Sequence, residues 1–155
     1  MINHVWSALC SKSVIDVDTN TISMFDMIEA LTVGIADNAP ARKDGEQITI
    51  PINYEAVSYW IRQSDKETEY ATLELEILDP KGKVLHKMQN KMEFKQGLKR
   101  LRSRVKMFGL NVTHEGIYKF IIKITQEDKT DIVAELPVDV NFVKNPTLTS
   151  NPIKN

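Results

Sequence analysis

The segment from Glu115 to Ile124 constrains the fold of this chain more than any other. From Tyr118 onward every second side chain is apolar: Tyr118, Phe120, Ile122 and Ile124. Lys119 and Lys123 lie between them, so the opposite face of this segment is at least partly in contact with water. A regular alternation of this kind, entered through Glu-Gly-x-Tyr, predicts an inner strand of a β-sandwich.

A second stretch has the same period. Its apolar residues Leu73, Leu75 and Ile77 alternate with Glu74 and Glu76. The residues that follow, Asp79-Pro80-Lys81-Gly82, have proline at the second turn position and glycine at the fourth, which predicts a type I turn. The two features together indicate a strand that ends in a hairpin.

Strand-like segments recur along the whole chain with turn residues between them. They cover about 4–10, 21–26, 30–35, 48–62, 71–78, 84–94, 99–109, 117–126 and 132–143. This spacing favours an all-β sandwich of about 8–9 antiparallel strands over a βαβ fold. In the last segment Pro137 cannot donate to a ladder, which predicts an edge strand or a bulge at that point.

The segment around residues 24–31 is open to two interpretations. Met24, Ile28 and Leu31 would share one face of a helix. The flanking threonine, valine and isoleucine residues prefer strands. We therefore expect a strand with a bulge or kink, and a short helix near 25–31 is the alternative.

The length of 155 residues predicts one domain, which we place at 1–144. Residues 36–47 lack apolar periodicity and should form the longest internal loop. Residues 145–155 contain two Asn-Pro steps and little apolar surface, so we expect a disordered tail.

Charge and cysteine content exclude some classes of protein. Twenty basic and twenty-one acidic residues give a formal charge of −1, so the overall balance favours neither nucleic acid nor an anionic membrane. Cys10 is the only cysteine, so no intramolecular disulfide can form, and the cytoplasm is the expected compartment. The N-terminus lacks the basic region of a secretory signal, and no apolar run has the length of a membrane span.

Several passages resemble the layout of a family of small uncharacterised bacterial proteins. They are Ala8-Leu9-Cys10, the hairpin-like passage from Asp16 to Ile22, Leu73 to Leu85, and Gly116 to Ile124. The resemblance covers about residues 5–142 and implies an immunoglobulin-like or C2-like sandwich with no known activity. Glu115-Gly116-x-Tyr118 also resembles the tyrosine corner of immunoglobulin-type domains, although Phe120 stands where a disulfide cysteine would be.

Motifs for metal, cofactor or catalytic sites are incomplete in this sequence. Asp16-x-Asp18-x-Asn20 begins like a calcium loop, but Thr21 replaces the required glycine and Met27 the bidentate glutamate, so we expect a polar turn. The three histidines have no metal-ligand spacing, and Cys10 lacks the partners of a nucleophile. No phosphate loop or dinucleotide fingerprint occurs. We therefore expect no metal, no cofactor and no enzymatic activity; an enzyme with a site assembled from distant residues is the least favoured class.

The candidate interaction site is the basic segment 99–106. On a strand, alternate positions would place one row of cations on one face: Arg100, Arg102, Arg104 and Lys106. This row could bind an acidic protein or phosphates, or it could be neutralised by Glu74, Glu76 or Glu93 on other strands. Nucleic acid is the less favoured partner because no aromatic residue alternates with the cations.

Trp60 is the second candidate contact. It shares its strand face with Ala56, Ser58 and Arg62, whereas Val57, Tyr59 and Ile61 form the more apolar face. Trp60 is therefore either covered by a loop or an exposed anchor for a partner. The function that this sequence favours is a non-enzymatic protein–protein interaction module, and the alternative is a nucleic-acid or phosphate binder that uses the strand at 99–106.

Overall fold

The computed structural model describes residues 1–36 and 42–145, the last of these by its backbone alone. These residues form nine strands and no helix, so the predicted all-β class is confirmed. The strands are β1 (Ile2–Ile15), β2 (Ile22–Met27), β3 (Ala30–Ala36), β4 (Ile48–Arg62), β5 (Glu69–Leu78), β6 (Val84–Phe94), β7 (Arg100–Val112), β8 (Gly116–Gln126) and β9 (Lys129–Asn145). Each predicted segment coincides with one of them, and β1 is longer than predicted at both ends.

The strands form two sheets that pack face to face as a β-sandwich. The first sheet has the order β2-β1-β4-β7 and the second the order β3-β9-β8-β5-β6. Both β6 and β7 are edge strands, and they lie on the same side of the sandwich because a short connection joins them. The described ranges contain no helix that is long and apolar enough to cross a membrane.

The ambiguous segment near 25–31 is strand, bend and strand, so the helix alternative is wrong. The chain leaves β2 at the edge of the first sheet and enters β3 at the edge of the second after two residues. Ile28 N donates to Leu9 O of the first sheet, and Asp139 N of the second donates to Glu29 O, each at 2.9 Å. Because this link is too short to reverse the chain, β3 pairs with β9 in parallel, which departs from the expected antiparallel arrangement.

The core lies between the two sheets and is built from the alternating faces that the sequence shows. Six residues on the apolar faces of alternating strands are at most 3% exposed: Leu75, Ile77, Tyr118, Phe120, Ile122 and Val138. Leu101 is half-buried at the margin, because β7 is an edge strand. Pro137 lies just before Asp139, where β3 begins to pair with β9, so at the proline β9 is locally an edge.

Two predicted local motifs are present with their hydrogen bonds. In the turn after β5, Gly82 N donates to Asp79 O, and Asp79 Oδ1 accepts from Lys81 N and Lys83 N. Tyr118 Oη accepts from the backbone N–H groups of Thr113 and His114 and donates to His114 O at 2.8 Å. The tyrosine thereby fixes the β7–β8 turn against the core, as a tyrosine corner does.

The two faces of β4 are the reverse of what its hydrophobicity suggests. Trp60 is 0% exposed and lies in the core, where its Nε1 donates to Ser103 Oγ at 2.9 Å. The interpretation of Trp60 as an exposed anchor is therefore wrong. Val57, Tyr59 and Ile61 lie on the outer face of the sheet, since they alternate with Trp60.

Arg62 is a charged residue on the inner face of β4, and its hydrogen bonds explain why it is tolerated there. Its side chain is 0% exposed, and its guanidinium donates to the carbonyl oxygens of Leu98, Glu67 and Lys95 at 2.8, 2.5 and 2.7 Å. It also lies 3.6 Å from the Glu69 carboxylate and over the ring of Phe94. A buried cation needs such a full set of partners, because an unpaired one would lose its hydration without compensation.

Parts of the predicted loop at 36–47 and nearly all of the predicted tail at 145–155 lie outside the described residues. The described part of the loop is held by an ion pair of Asp44 with Lys81 at 3.1 Å and by a hydrogen bond between Asp44 and His114 at 2.8 Å. The predicted domain boundary near 144 falls at the last residues of β9.

We expect Phe120→Ala to lower the free energy of unfolding by about 3–5 kcal/mol, because it leaves a cavity between the sheets. Ile117→Ala, on the same strand but 54% exposed, is the control and should change it by about 0.5 kcal/mol or less. Chemical denaturation of both variants measures the difference. Equal effects would mean that the inner face of β8 is assigned incorrectly.

We expect Arg62→Lys to cost about 2 kcal/mol or more, since an ammonium group cannot reach three separate carbonyls and leaves buried acceptors unpaired. Arg100→Lys makes the same chemical change at an exposed site and should have little effect on the melting temperature. A wild-type melting temperature for Arg62→Lys would contradict the role assigned to this side chain.

Candidate interaction surface

The four predicted cations form a row along β7 on the outer face of the first sheet. Their cross-strand neighbours on β4 are, in order, Ile61, Tyr59, Val57 and Glu55. Three of these four neighbours are uncharged, so the adjacent strand supplies one carboxylate to the whole row. We call Arg100, Arg102, Arg104 and Lys106 the arginine row.

The glutamates expected to neutralise the arginine row lie elsewhere. Glu74, Glu76 and Glu93 belong to β5 and β6 of the second sheet, and within the described residues none of them forms an ion pair with the row, so the alternative in which they neutralise it is not supported. Lys87 Nζ lies 2.9 Å from Glu74 and 3.0 Å from Glu76. Lys123 Nζ lies 3.2 Å from Glu74 and 2.6 Å from Glu76. Two lysines of the second sheet therefore neutralise these two carboxylates.

The groups that do contact the arginine row are mostly neutral. Arg102 donates to Asn20 Oδ1 at 3.0 Å, and Arg104 donates to Ser13 O of β1 at 3.3 Å. Lys106 Nζ is 4.0 Å from Glu55, whose carboxylate also accepts from Ser13 Oγ, and the lysine side chain remains 71% exposed. These contacts orient the cations without cancelling most of their charge.

An open depression of about 370 Å³ adjoins the arginine row near the tip of the β1–β2 hairpin. Arg100 and Arg102 line it together with Thr19, Asn20 and Tyr59. Two guanidinium groups, a hydroxyl and an amide on one concave surface are the groups that bind a carboxylate or another oxyanion. The depression is therefore the part of the row best suited to an acidic side chain.

An aromatic pair that the sequence reasoning missed lies beside the row. Trp6 and Tyr59 have ring centroids 5.8 Å apart, and the Arg102 guanidinium lies 5.7 Å from the Tyr59 ring. The β1–β4 register shifts between His4 and Trp6, and this irregularity places Trp6 opposite Tyr59. A bulge changes which side chains share a face, so simple alternation could not identify this pair.

The arginine row belongs to a larger basic side of the molecule. Residues 81–106, which comprise β6, the β6–β7 connection and half of β7, contain ten of the 20 lysines and arginines and one of the 21 acidic residues. Their formal charge is thus +9 and that of the remaining residues is −10. The near-zero net charge of the chain conceals this separation, and the basic segment 99–106 is one part of a longer basic stretch. We call residues 81–106 the basic side.

The other motifs considered in the sequence have local structural roles. Asp16 Oδ1 accepts from Asp18 N, Thr19 N and Thr19 Oγ1, and the bonds from Thr19 lower the pKa of this carboxyl. Cys10 is buried, and its burial together with the Glu55 charge raises the pKa of its thiol. Within residues 1–36 and 42–145, no three His, Cys, Asp or Glu side chains are grouped as metal ligands.

Comparison with known proteins gives distant structural likenesses. No family model matches this chain, and no curated protein matches it by sequence. A glycosyl hydrolase family 2 member from Bacteroides cellulosilyticus is 11% identical with a TM-score of 0.40, over 64% of this chain and 14% of that one. A β-glucuronidase from glycoside hydrolase family 2 is 14% identical with a TM-score of 0.42, over 62% and 11%. This chain thus spans a small part of those proteins, and their activity is not carried over to it.

We expect the stability of the protein to fall in acid partly through Glu74. Hydrogen bonds from Gln89, Lys87 and Lys123 lower its pKa to about 2 from an ordinary value of 4.5. A depressed pKa stabilises the folded state above pH 4.5, and this contribution disappears as the pH falls towards 2. Glu74→Gln should show a shallower loss of melting temperature over that interval. Superimposable pH curves for the two proteins would contradict this prediction.

Proposed function

We propose that this protein is a non-enzymatic binding module that recognises an acidic protein through its basic side. The observation that supports this proposal is the excess of cations on residues 81–106, which carry a formal charge of +9; of these cations, Lys81 and Lys87 pair closely with carboxylates of the remainder. Lys83, Lys91, Lys95, Lys99 and Arg100 form no ion pair with a carboxylate of the described residues. Such a surface attracts negative charge and accelerates encounter with an acidic partner.

An acidic protein fits this surface better than a nucleic acid does. Binding of single strands relies on several exposed aromatic rings that stack on successive bases, and the positions between the cations of the arginine row carry none. Phe108, two residues beyond Lys106, is 73% exposed but is a single ring at the end of the row. The nearby Tyr59 ring is occupied on one side by Trp6 and lies under the Arg102 guanidinium. Arg102 and Arg104 are held by Asn20 and Ser13, which favours defined carboxylate positions over a mobile polyanion.

The charge dependence can be tested with poly-L-glutamate as the probe. We expect replacement of Arg100, Arg102 and Arg104 with Gln to abolish binding at about 0.15 M salt, with a small change in melting temperature. The matched control replaces Lys12, Lys66 and Lys144, three exposed lysines outside the basic side, with Gln. It removes the same charge and should retain binding.

The same titration with single-stranded oligo-dT distinguishes the alternative function. Tighter binding of oligo-dT than of poly-L-glutamate, at equal salt and equal chain charge, would make a nucleic-acid binder the better conclusion. Equal losses in the row variant and in the control variant would show that net charge alone attracts the probe. Either result would overturn the acidic-protein proposal.

A further inference from the structure

We infer that the partner binds as an extended segment that adds a β-strand to the exposed edge of β7, with acidic and apolar residues in alternation. This inference rests on the proposed function and specifies its geometry. It follows from three features of one strand: an unpaired edge, a basic outer face and a partly apolar groove at the inner face.

The edge of β7 is available for pairing. Within the described part of the chain, β7 has β4 as its ladder partner and no strand on the other side. Its ladder with β4 is continuous from Arg100 to Phe108, so the backbone is regular along the arginine row. An edge of this length presents alternating N–H and C=O groups, and these are the groups that an added strand would pair with.

The outer face of β7 sets the charge of alternate residues in the added strand. Side chains directly opposite one another in a ladder have Cβ atoms about 4.5–5.5 Å apart, so each row position would meet one side chain of the partner. Glutamate or aspartate at those positions would meet Arg100, Arg102, Arg104 and Lys106 in turn. The same row disfavours pairing with the β7 edge of a second copy of this chain, because arginine would then face arginine.

The inner face of β7 determines which side chains suit the remaining positions of the added strand. A groove of about 380 Å³ opens between the edges of β6 and β7. Its lining combines apolar side chains, among them Leu85, Met88 and Met107, with polar ones, among them Thr49, His86 and Asn111. Side chains on the inner face of an added strand would point towards this groove, where Val, Ile or Leu would remove apolar surface from water. Lys106 and Met107 are adjacent in sequence, so the groove is continuous with the row.

The chain itself supplies no segment of this kind outside the described residues. Residues 146–155 contain no acidic residue and two prolines, and residues 37–41 contain one aspartate. Neither has the alternation of acidic and apolar residues that the edge requires. Neither segment is therefore suited to the edge, and the occupant that we infer is a separate acidic polypeptide.

Two synthetic peptides of equal composition test the inference, each of about nine residues, the ordinary length of a strand. One alternates Glu and Val, and the other has the Glu residues grouped at one end. We expect the alternating peptide to bind at least about tenfold more tightly by calorimetry. It should also slow hydrogen exchange at alternate amides between Arg100 and Met107.

Backbone methylation of the alternating peptide separates strand addition from simple charge attraction. N-methylation at the residues whose N–H groups face β7 should abolish binding, and N-methylation at the intervening residues should leave it unchanged. Equal tolerance of both methylated peptides would overturn strand addition. If these peptides still lost binding to the Arg100, Arg102 and Arg104 variant, the proposed acidic-partner function would survive that failure. If no acidic peptide and no poly-L-glutamate bound, both proposals would fail.

Discussion

The arrangement of the basic side depends on the buried guanidinium of Arg62. It donates to carbonyl oxygens of two connections: that of Glu67 between β4 and β5, and those of Lys95 and Leu98 between β6 and β7. Because Leu98 precedes Arg100 by two residues, this contact determines where β7 begins and hence where the first cation of the arginine row stands. A planar group with several fixed donors is suited to this task, whereas the charge itself adds a desolvation cost.

Charge on an edge strand has two consequences for this fold. Lysines and arginines along an edge discourage pairing between identical copies, which is a common way for β-sandwich proteins to avoid aggregation. The same residues attract a partner of opposite charge, so protection and recognition use one set of side chains. Glu74 and Glu76 are held on the second sheet by Lys87 and Lys123, and among the described residues Glu55 is the carboxylate that pairs with the row.

Much of the fold could be predicted because most strands have one apolar and one charged face. Phe120 is an example: it shares its face of β8 with Tyr118 and Ile122, and its burial follows from that period of two. β4 could not be oriented in this way, since its inner face contains Ser58 and Arg62 and its outer face Val57 and Tyr59. The row itself was predictable from spacing. The residues beside it were not, because strand order and the irregularity before Trp6 determine which side chains become neighbours.

The short link between β2 and β3 joins the two sheets along one side of the sandwich. Ile28 and Glu29 bond to one sheet each, and the chain itself joins the two sheets there. On the opposite side, β6 and β7 are connected at one end, and the groove lies between them farther along. Separating the two sheets along the side of the β2–β3 link would require both hydrogen bonds of Ile28 and Glu29 to break. The groove lies on the side that the β2–β3 link does not span, so an occupant can enter there without disturbing this link.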